Sequence, residues 1–320
     1  MSEATALAVD GLAAAPGKRT TGHIGIDLGP ATVQVPVILV NGARPGPRVG
    51  VTSGIHGAEY VAIAALRRVA MSLDPAELAG SLVAVPIANP AAFAARSIYL
   101  NPLDGKNLNR VFPGSPDGSA SERLANWLYT RVIAPSQRYI DMHCGDMNEA
   151  LTSFTGLEET GDPAVDAVAL AMAEAYGLDY MVFGGLKGST TTSAAELGIP
   201  ALLGEVGGQG LWPEADVARH AGGLRRALAA TGLLAAPADA PPMASRRLSG
   251  DVWLRSSATG CFHPAVTVGE HVETGQYVGE VQDVFGQVLQ RVEAPVGGEV
   301  LFLVTSLAMN AGDPLLTIGA

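Results

Sequence analysis

Basic side chains are scarce in this chain. Lysine and arginine total 20 against 31 aspartates and glutamates, a net charge of −11 over 320 residues. No basic block is concentrated enough to follow a phosphate backbone, so nucleic acid is excluded as a general partner. Cysteine is nearly absent: Cys144 and Cys261 are the two, and two make no disulfide framework. No stretch reaches the roughly 18 apolar residues that mark a membrane span. The apolar start ATALAVDGLAAAP lacks a basic leader and is interrupted by Asp10, with Glu3 just before it. Neither a signal peptide nor a membrane anchor is expected, and the expected location is cytoplasmic. What is present is a large apolar fraction, 48%, which rules out wholesale disorder and suffices for one sizeable α/β domain plus a smaller one.

Short β-rich runs at 32–41, 48–55, 81–88, 138–143, 180–184 and 200–206 are bounded by Gly, Pro or Asn. Between several of them lie alanine-rich segments with helical periodicity, at 58–72, 119–133, 163–176, 191–198 and 214–231. The alternation predicts a mostly parallel sheet with helices on both faces. In such a sheet the cleft forms beyond the carboxyl ends of the strands. The proline-rich stretch 235–243 reads as a linker. A catalytic domain over 1–240 and a small β domain over 246–320 are therefore expected, the latter from short β runs parted by glycine turns.

The stretch VTSGIHGAEY places His56 and Glu59 three apart just after a β-rich run, and YIDMHCG closes another run with His143. Imidazole nitrogen and carboxylate oxygen both suit Zn²⁺, and a catalytic zinc keeps three protein ligands with a place left for water. A short spacer and then a long one of 84 residues, from Glu59 to His143, is the pattern of such a site. Alone, HxxE arises by chance and a lone histidine is more often a core or surface residue. His23, His220, His263 and His271 are read in that way. Cys144, beside His143, is a possible ligand but reads better as a small buried residue.

Between the two half-sites lies NPLDGKNLNRVFPG, residues 101–114. Within it, Asn109 and Arg110 form a plausible clamp for a substrate carboxylate, because the guanidinium fork binds a carboxylate through two parallel hydrogen bonds. A surface salt bridge is the alternative. Asn107 could orient the His56 ring. Arg96, near the same loop, is a cation able to polarise a scissile carbonyl and brace an oxyanion, or else a solvated arginine. Glu205 follows the apolar run IPALLG. A carboxylate there is costly unless it has a partner or a task, and a general base beside an activated water would be such a task. The cluster Ser189 to Ser193 reads as a polar helix cap.

HGAE, NLNRVFPG, DMHCG and GEVGG, in this order and followed by a small β domain, resemble the succinylglutamate desuccinylase/aspartoacylase family of the wider zinc carboxypeptidase superfamily. The resemblance runs from about residue 20 to the end. It implies a zinc-carboxypeptidase-like fold and a zinc-dependent deacylase that hydrolyses the amide between a small acyl group and an amino acid. It also implies one Zn²⁺ per subunit on His56, Glu59 and His143, a carboxylate clamp at Asn109 and Arg110, carbonyl polarisation by Arg96 and a base at Glu205. Family members acting on acyl groups with their own carboxylate carry an arginine about ten residues before the catalytic glutamate. Ala195 stands there, with Lys187 the one cation nearby, so the chain looks closer to the N-acetyl-diamino-acid deacetylase branch. Asn107 stands where many zinc carboxypeptidases have aspartate.

The β domain resembles a lipoyl-like barrel, but the lysines are Lys18, Lys106 and Lys187, none within 246–320. A swinging-arm carrier is thereby excluded. A carboxypeptidase acting on short peptides and a non-catalytic metabolite-binding protein are the competing readings. Mean hydropathy of +0.25 suggests buried subunit surface and hence a homo-oligomer.

Overall fold

The computed structural model describes residues 5–235 and 244–320. A short hairpin, β1 (Leu7–Val9) and β2 (Leu12–Ala14), precedes the strands β3 (Lys18–Asp27), β4 (Thr32–Asn41) and β5 (Arg44–Ser53). Then follow α1 (Tyr60–Ser72), β6 (Ala79–Val85), α2 (Pro90–Ala95), a 3-10 turn over Leu108–Arg110, α3 (Ala120–Leu128) and β7 (Arg138–His143). The next elements are β8 (Glu149–Leu151), β9 (Phe154–Leu157), α4 (Pro163–Tyr176), β10 (Tyr180–Phe183), α5 (Thr190–Ala195), β11 (Ala201–Glu205) and α6 (Glu214–Ala230).

The helix ends follow from local chemistry. At α4, Asp162 accepts a hydrogen bond from the Ala164 amide, Pro163 fills the first helical position, and Gly177 ends the helix in the left-handed region at φ 71°. A reciprocal Ser119–Glu122 capping box opens α3. The expected helix over 119–133 continues past α3 as a single π turn, Tyr129–Ile133.

One nine-stranded mixed sheet organises the molecule, in the order β12-β10-β9-β11-β7-β5-β6-β4-β3, where β12 is Arg246–Leu248. At its centre β11, β7, β5 and β6 are mutually parallel. Antiparallel β4 and β3 extend one side, and β9 pairs antiparallel with β11 on the other. Helices α1, α4 and α6 share one apolar core with the sheet. Helix α3, Ala194 of α5 and the β1–β2 hairpin pack into a second core on the opposite face. Burial on both faces explains why the central strands read as continuous apolar runs. Strand β3 shows weaker alternation, burying Ile24 and Ile26, and went unmarked in the sequence for that reason.

After β12, the strands β13 (Asp251–Arg255), β14 (Gly260–Pro264), β15 (His271–Val272), β16 (Tyr277–Gln282), β17 (Val288–Glu293), β18 (Gly298–Val304), β19 (Ala308–Met309) and β20 (Pro314–Gly319) form two small sheets. They enclose a separate core that includes Val272, Val281, Val300, Leu316 and Ile318. The expected linker lies outside the described residues except for Ala235. Strand β12, expected to open the small domain, is the edge of the large sheet, parallel to β10. In return β8, from the larger part, pairs with β18 of the smaller one.

Candidate metal centre

Three parallel strands deliver the site to one edge of the sheet. Strand β7 ends at His143, which lies in register with Glu205 at the end of β11. Strand β5 ends at Ser53, and a turn through Gly54, φ 65°, carries the chain to His56. Gly57 sits so close to α2 that a Cβ there would lie 2.1 Å from the Ala92 carbonyl carbon. No larger residue fits. Glu59 then occupies the N-cap of α1 but makes no capping bond, because its carboxylate is turned to the imidazoles. The positive end of the helix favours an anion at this position.

Nδ1 of His56 lies 2.6 Å from Glu59 Oε1, and Nδ1 of His143 lies 2.8 Å from Glu59 Oε2. The ligand atoms of the three residues all lie within 4.8 Å of one another. The far nitrogens are held from behind. His56 Nε2 donates to Asn107 Oδ1 at 3.1 Å, and His143 Nε2 donates to Asp141 Oδ2 at 2.9 Å. Asp141, fully buried, also accepts from the hydroxyls of Thr52, at 2.6 Å, and Thr190. Rings anchored in this way present fixed donor nitrogens. Burial pushes the Glu59 carboxyl up, but His143 and then His56 outweigh it and hold it down at about 2. Burial lowers His143, and the carboxylates Glu59 and Asp141 more than reverse this, raising it well above the ordinary histidine value. Two imidazoles and a carboxylate with outward nitrogens already pinned fit a tetrahedral divalent cation.

Glu205 faces the same space. Its Oε2 is buried and has no hydrogen-bond partner among the described residues. Burial first, and then the nearby carboxylates acting against His143, hold its carboxyl well above the usual range. A cavity of about 280 Å³ is lined by His56, His143, Glu205, Asn109, Arg110 and Glu149, among others. The small domain supplies Trp253, Leu301, Phe302 and Thr317 to its wall. The loop carrying Asn109 and Arg110 is tied down at each end. Asp104 accepts from the amide and hydroxyl of Ser121 at 2.7 and 2.8 Å. Asn109 Oδ1 accepts from the Thr190 amide at 3.0 Å, and Arg110 Nη1 donates to the Asn109 carbonyl at 2.7 Å.

The model of the succinylglutamate desuccinylase/aspartoacylase catalytic domain matches residues 45–231. The chain belongs to that family. The N-alpha-acetyl-L-2,4-diaminobutyric acid deacetylase of Halomonas elongata is 30% identical over 296 residues, covering 89% of this chain and 85% of that protein. Among solved structures, the product-bound ectoine utilization protein EutE (DoeB) from Ruegeria pomeroyi superposes with a TM-score of 0.86 at 25% identity, covering 94% of this chain and 95% of that one. A succinylglutamate desuccinylase/aspartoacylase from Rhodobacter sphaeroides gives 0.83 at 28% identity over the same shares.

Of the residues singled out in the sequence, the fold gathers His56, Glu59 and His143 into one group and sets Glu205, Asn109 and Arg110 around one cavity. Asn107 stands behind His56 as expected. Arg96 is not brought to the cavity wall. It ends α2 in the left-handed region at φ 53°, and its side chain is exposed. Ser189 caps α5, accepting from the Thr192 amide at 3.1 Å, and also lines the cavity. Asp141 was missed in the sequence. The signal was there, since residues two apart on a strand face the same side and Asp141 precedes His143 by two. Glu149 and Tyr99, whose hydroxyl donates to Glu149, carried no comparable signal.

Proposed function

We propose that this protein hydrolyses the amide bond of a small N-acyl amino acid, most simply an N-acetyl one, releasing a carboxylate and a free amine. The observation that carries this reading is Glu205: a carboxylate at a strand end whose buried Oε2 has no hydrogen-bond partner among the described residues, in register with His143 and lining the same cavity as His56 and His143. His56, Glu59 and His143 are the residues that would hold one Zn²⁺ per chain. When bound, zinc supplies Lewis acidity toward water and the substrate carbonyl. Glu205 then takes the proton from water and returns it to the leaving amine, a role for which a raised carboxyl pKa suits it. Asn109 and Arg110 hold the α-carboxylate and so fix the amide against that base. The oxyanion-bracing role expected of Arg96 is kept as part of this proposal, with its guanidinium outside the cavity lining.

The name of the Halomonas relative, an N-alpha-acetyl-L-2,4-diaminobutyric acid deacetylase, supports a small N-acetyl amino-acid substrate, and Trp253 and Phe302 in the cavity lining narrow the space for a longer peptide. Free Cys144 and Cys261 suit the reducing cytoplasm proposed as its location. The test is amine release from a panel of N-acetyl and N-succinyl amino acids by zinc-loaded protein and its Glu205→Gln variant. The expected result is turnover of an acetylated member that falls roughly 10²–10⁴-fold in the variant. Silence across the panel with zinc bound, or an undiminished variant, overturns the reading.

A further inference from the structure

Ten of the large apolar side chains left exposed among the described residues fall into two groups. The first is the tip of the hairpin between β16 and β17. Val284 and Phe285 are 81% and 89% exposed there, and Val288 and Leu289 follow on β17. The turn beneath them is fixed, because Asp283 Oδ1 accepts from the amides of Phe285 and Gln287 at 2.8 and 2.9 Å. A built turn therefore holds these apolar side chains out in water.

The second group borders the candidate metal group. It consists of Phe93, Ile98, Leu100, Met147, Leu211 and Trp212, from the segments that follow β6, β7 and β11. Tyr60, next to Glu59, joins two of these segments: its ring meets Phe93 and Trp212 edge-on, with centroids at 6.2 and 5.4 Å. Met147 packs over Gly210, where an added Cβ would lie 3.2 Å from its Cγ. Tyr99, between Ile98 and Leu100, stands edge-on to the His56 ring at 6.4 Å. None of the six belongs to the cavity lining, so a substrate held there leaves them uncovered.

A contiguous exposed apolar patch of this kind marks a contact surface. Tip and patch together expose roughly 1,000 Å² per chain at ordinary side-chain areas, against the about 800 Å² per partner that a standard interface buries. Charge decides how they pair. Arg96 lies in the patch between Phe93 and Ile98, exposed and without an ion pair among the described residues. Asp283 flanks the tip, and with both turn bonds on Oδ1 its Oδ2 has room for a donor. Tip on patch sets this acid against that base. Tip on tip would set Asp283 against Asp283, and patch on patch Arg96 against Arg96, in a chain whose net charge of −11 already opposes self-association.

We propose that two copies of this chain associate about a two-fold axis, each setting its 284–289 hairpin tip on the other's patch around Trp212. Unlike surfaces then meet twice in one closed contact, and the border of each metal group gains the second copy's Phe285. A guanidinium has five N–H donors, so pairing with Asp283 leaves others of Arg96 for the role proposed above.

Sedimentation equilibrium of the full chain is expected to give a dimer. Its dissociation constant should rise roughly 10-fold or more in Phe285→Ser and in Trp212→Ser, as for aromatic anchors of an interface. Far-UV circular dichroism checks that both variants are folded, and Phe285→Ser, at a turn outside the core of the small domain, decides by itself if Trp212→Ser is not. The pairing is read by oxidation in a Cys261→Ser background: Phe285→Cys mixed with Leu211→Cys is expected to give a disulfide-linked dimer that neither gives alone. A monomer at every concentration, an assembly larger than a dimer, or an unchanged dissociation constant in Phe285→Ser overturns the proposal. So does a cross-link formed by Phe285→Cys or Leu211→Cys alone, or a mixture that links no more than they do.

Discussion

At the scale of single residues, the side chains behind the candidate metal group matter as much as those in it. Asp141 meets His143 Nε2 and the hydroxyls of Thr52 and Thr190 with no access to solvent. Asp141→Asn keeps the shape but puts an amide N–H₂ among groups that all donate. Zinc affinity, measured by competition with a chromogenic chelator, is expected to fall roughly 10–100-fold. His220 is a different case. It is fully buried, lies 2.8 Å from the Tyr176 hydroxyl through Nδ1, and burial depresses its pKa from 6.5 to about 3. The folded state therefore keeps it neutral while the unfolded chain takes up a proton below pH 6.5. Stability is thus lost as pH falls from about 6.5 toward 3. His220→Gln retains an acceptor for Tyr176 and removes the titration. Urea unfolding at pH 7 and pH 4.5 is expected to show a smaller acid-induced loss in the variant than in wild type, and an equal loss would refute the assignment.

At the scale of elements, the site depends on how closely α2 approaches the turn after β5. Gly57 allows that approach, and the methyl of Gly57→Ala would meet backbone atoms of Ala92 and Phe93 at 2.1 and 2.2 Å. Backbone cannot yield as a side chain can. A destabilisation of roughly 2–3 kcal/mol in urea unfolding is expected, with weaker zinc binding because His56 moves with the turn. Most elements around the site were legible in the sequence. Strands β7 and β11 were marked by apolar runs ending in His143 and Glu205, and α4 was expected over 163–176, where it lies. The antiparallel β9 was not legible: its four residues, Phe154–Leu157, are too few for alternation to register and are set by pairing with β11 and β10.

At the scale of the molecule, the two parts exchange strands: β12 adds to the large sheet and β8 to the small one. Arg246 Nη1 on β12 also meets Glu299 Oε1 on β18 at 2.5 Å. Parts that share hydrogen-bonded ladders are expected to unfold together. Trp127 and Trp212 lie in the large part and Trp253 in the small one. Fluorescence of a variant retaining Trp253 alone should therefore share its urea midpoint with far-UV circular dichroism, and separated midpoints would show that the parts unfold independently. Among the described residues no helix is long and apolar enough to cross a membrane.

The sequence by itself determined the alternation of strands and helices, the three side chains that gather as a candidate metal site, and the apolar run that leads to Glu205. Each of these rests on short-range chemistry: an apolar run ended by a polar residue, or a donor pair at fixed spacing. Only the tertiary structure decided that Asp141 stands behind His143, that Arg96 stays out of the cavity lining, and that Glu149 enters the wall from a strand paired with the small domain. Those placements depend on which strands become neighbours and how the small domain docks, and pairing between residues more than 100 apart, as for Leu151 and Phe302, leaves no local periodicity to read.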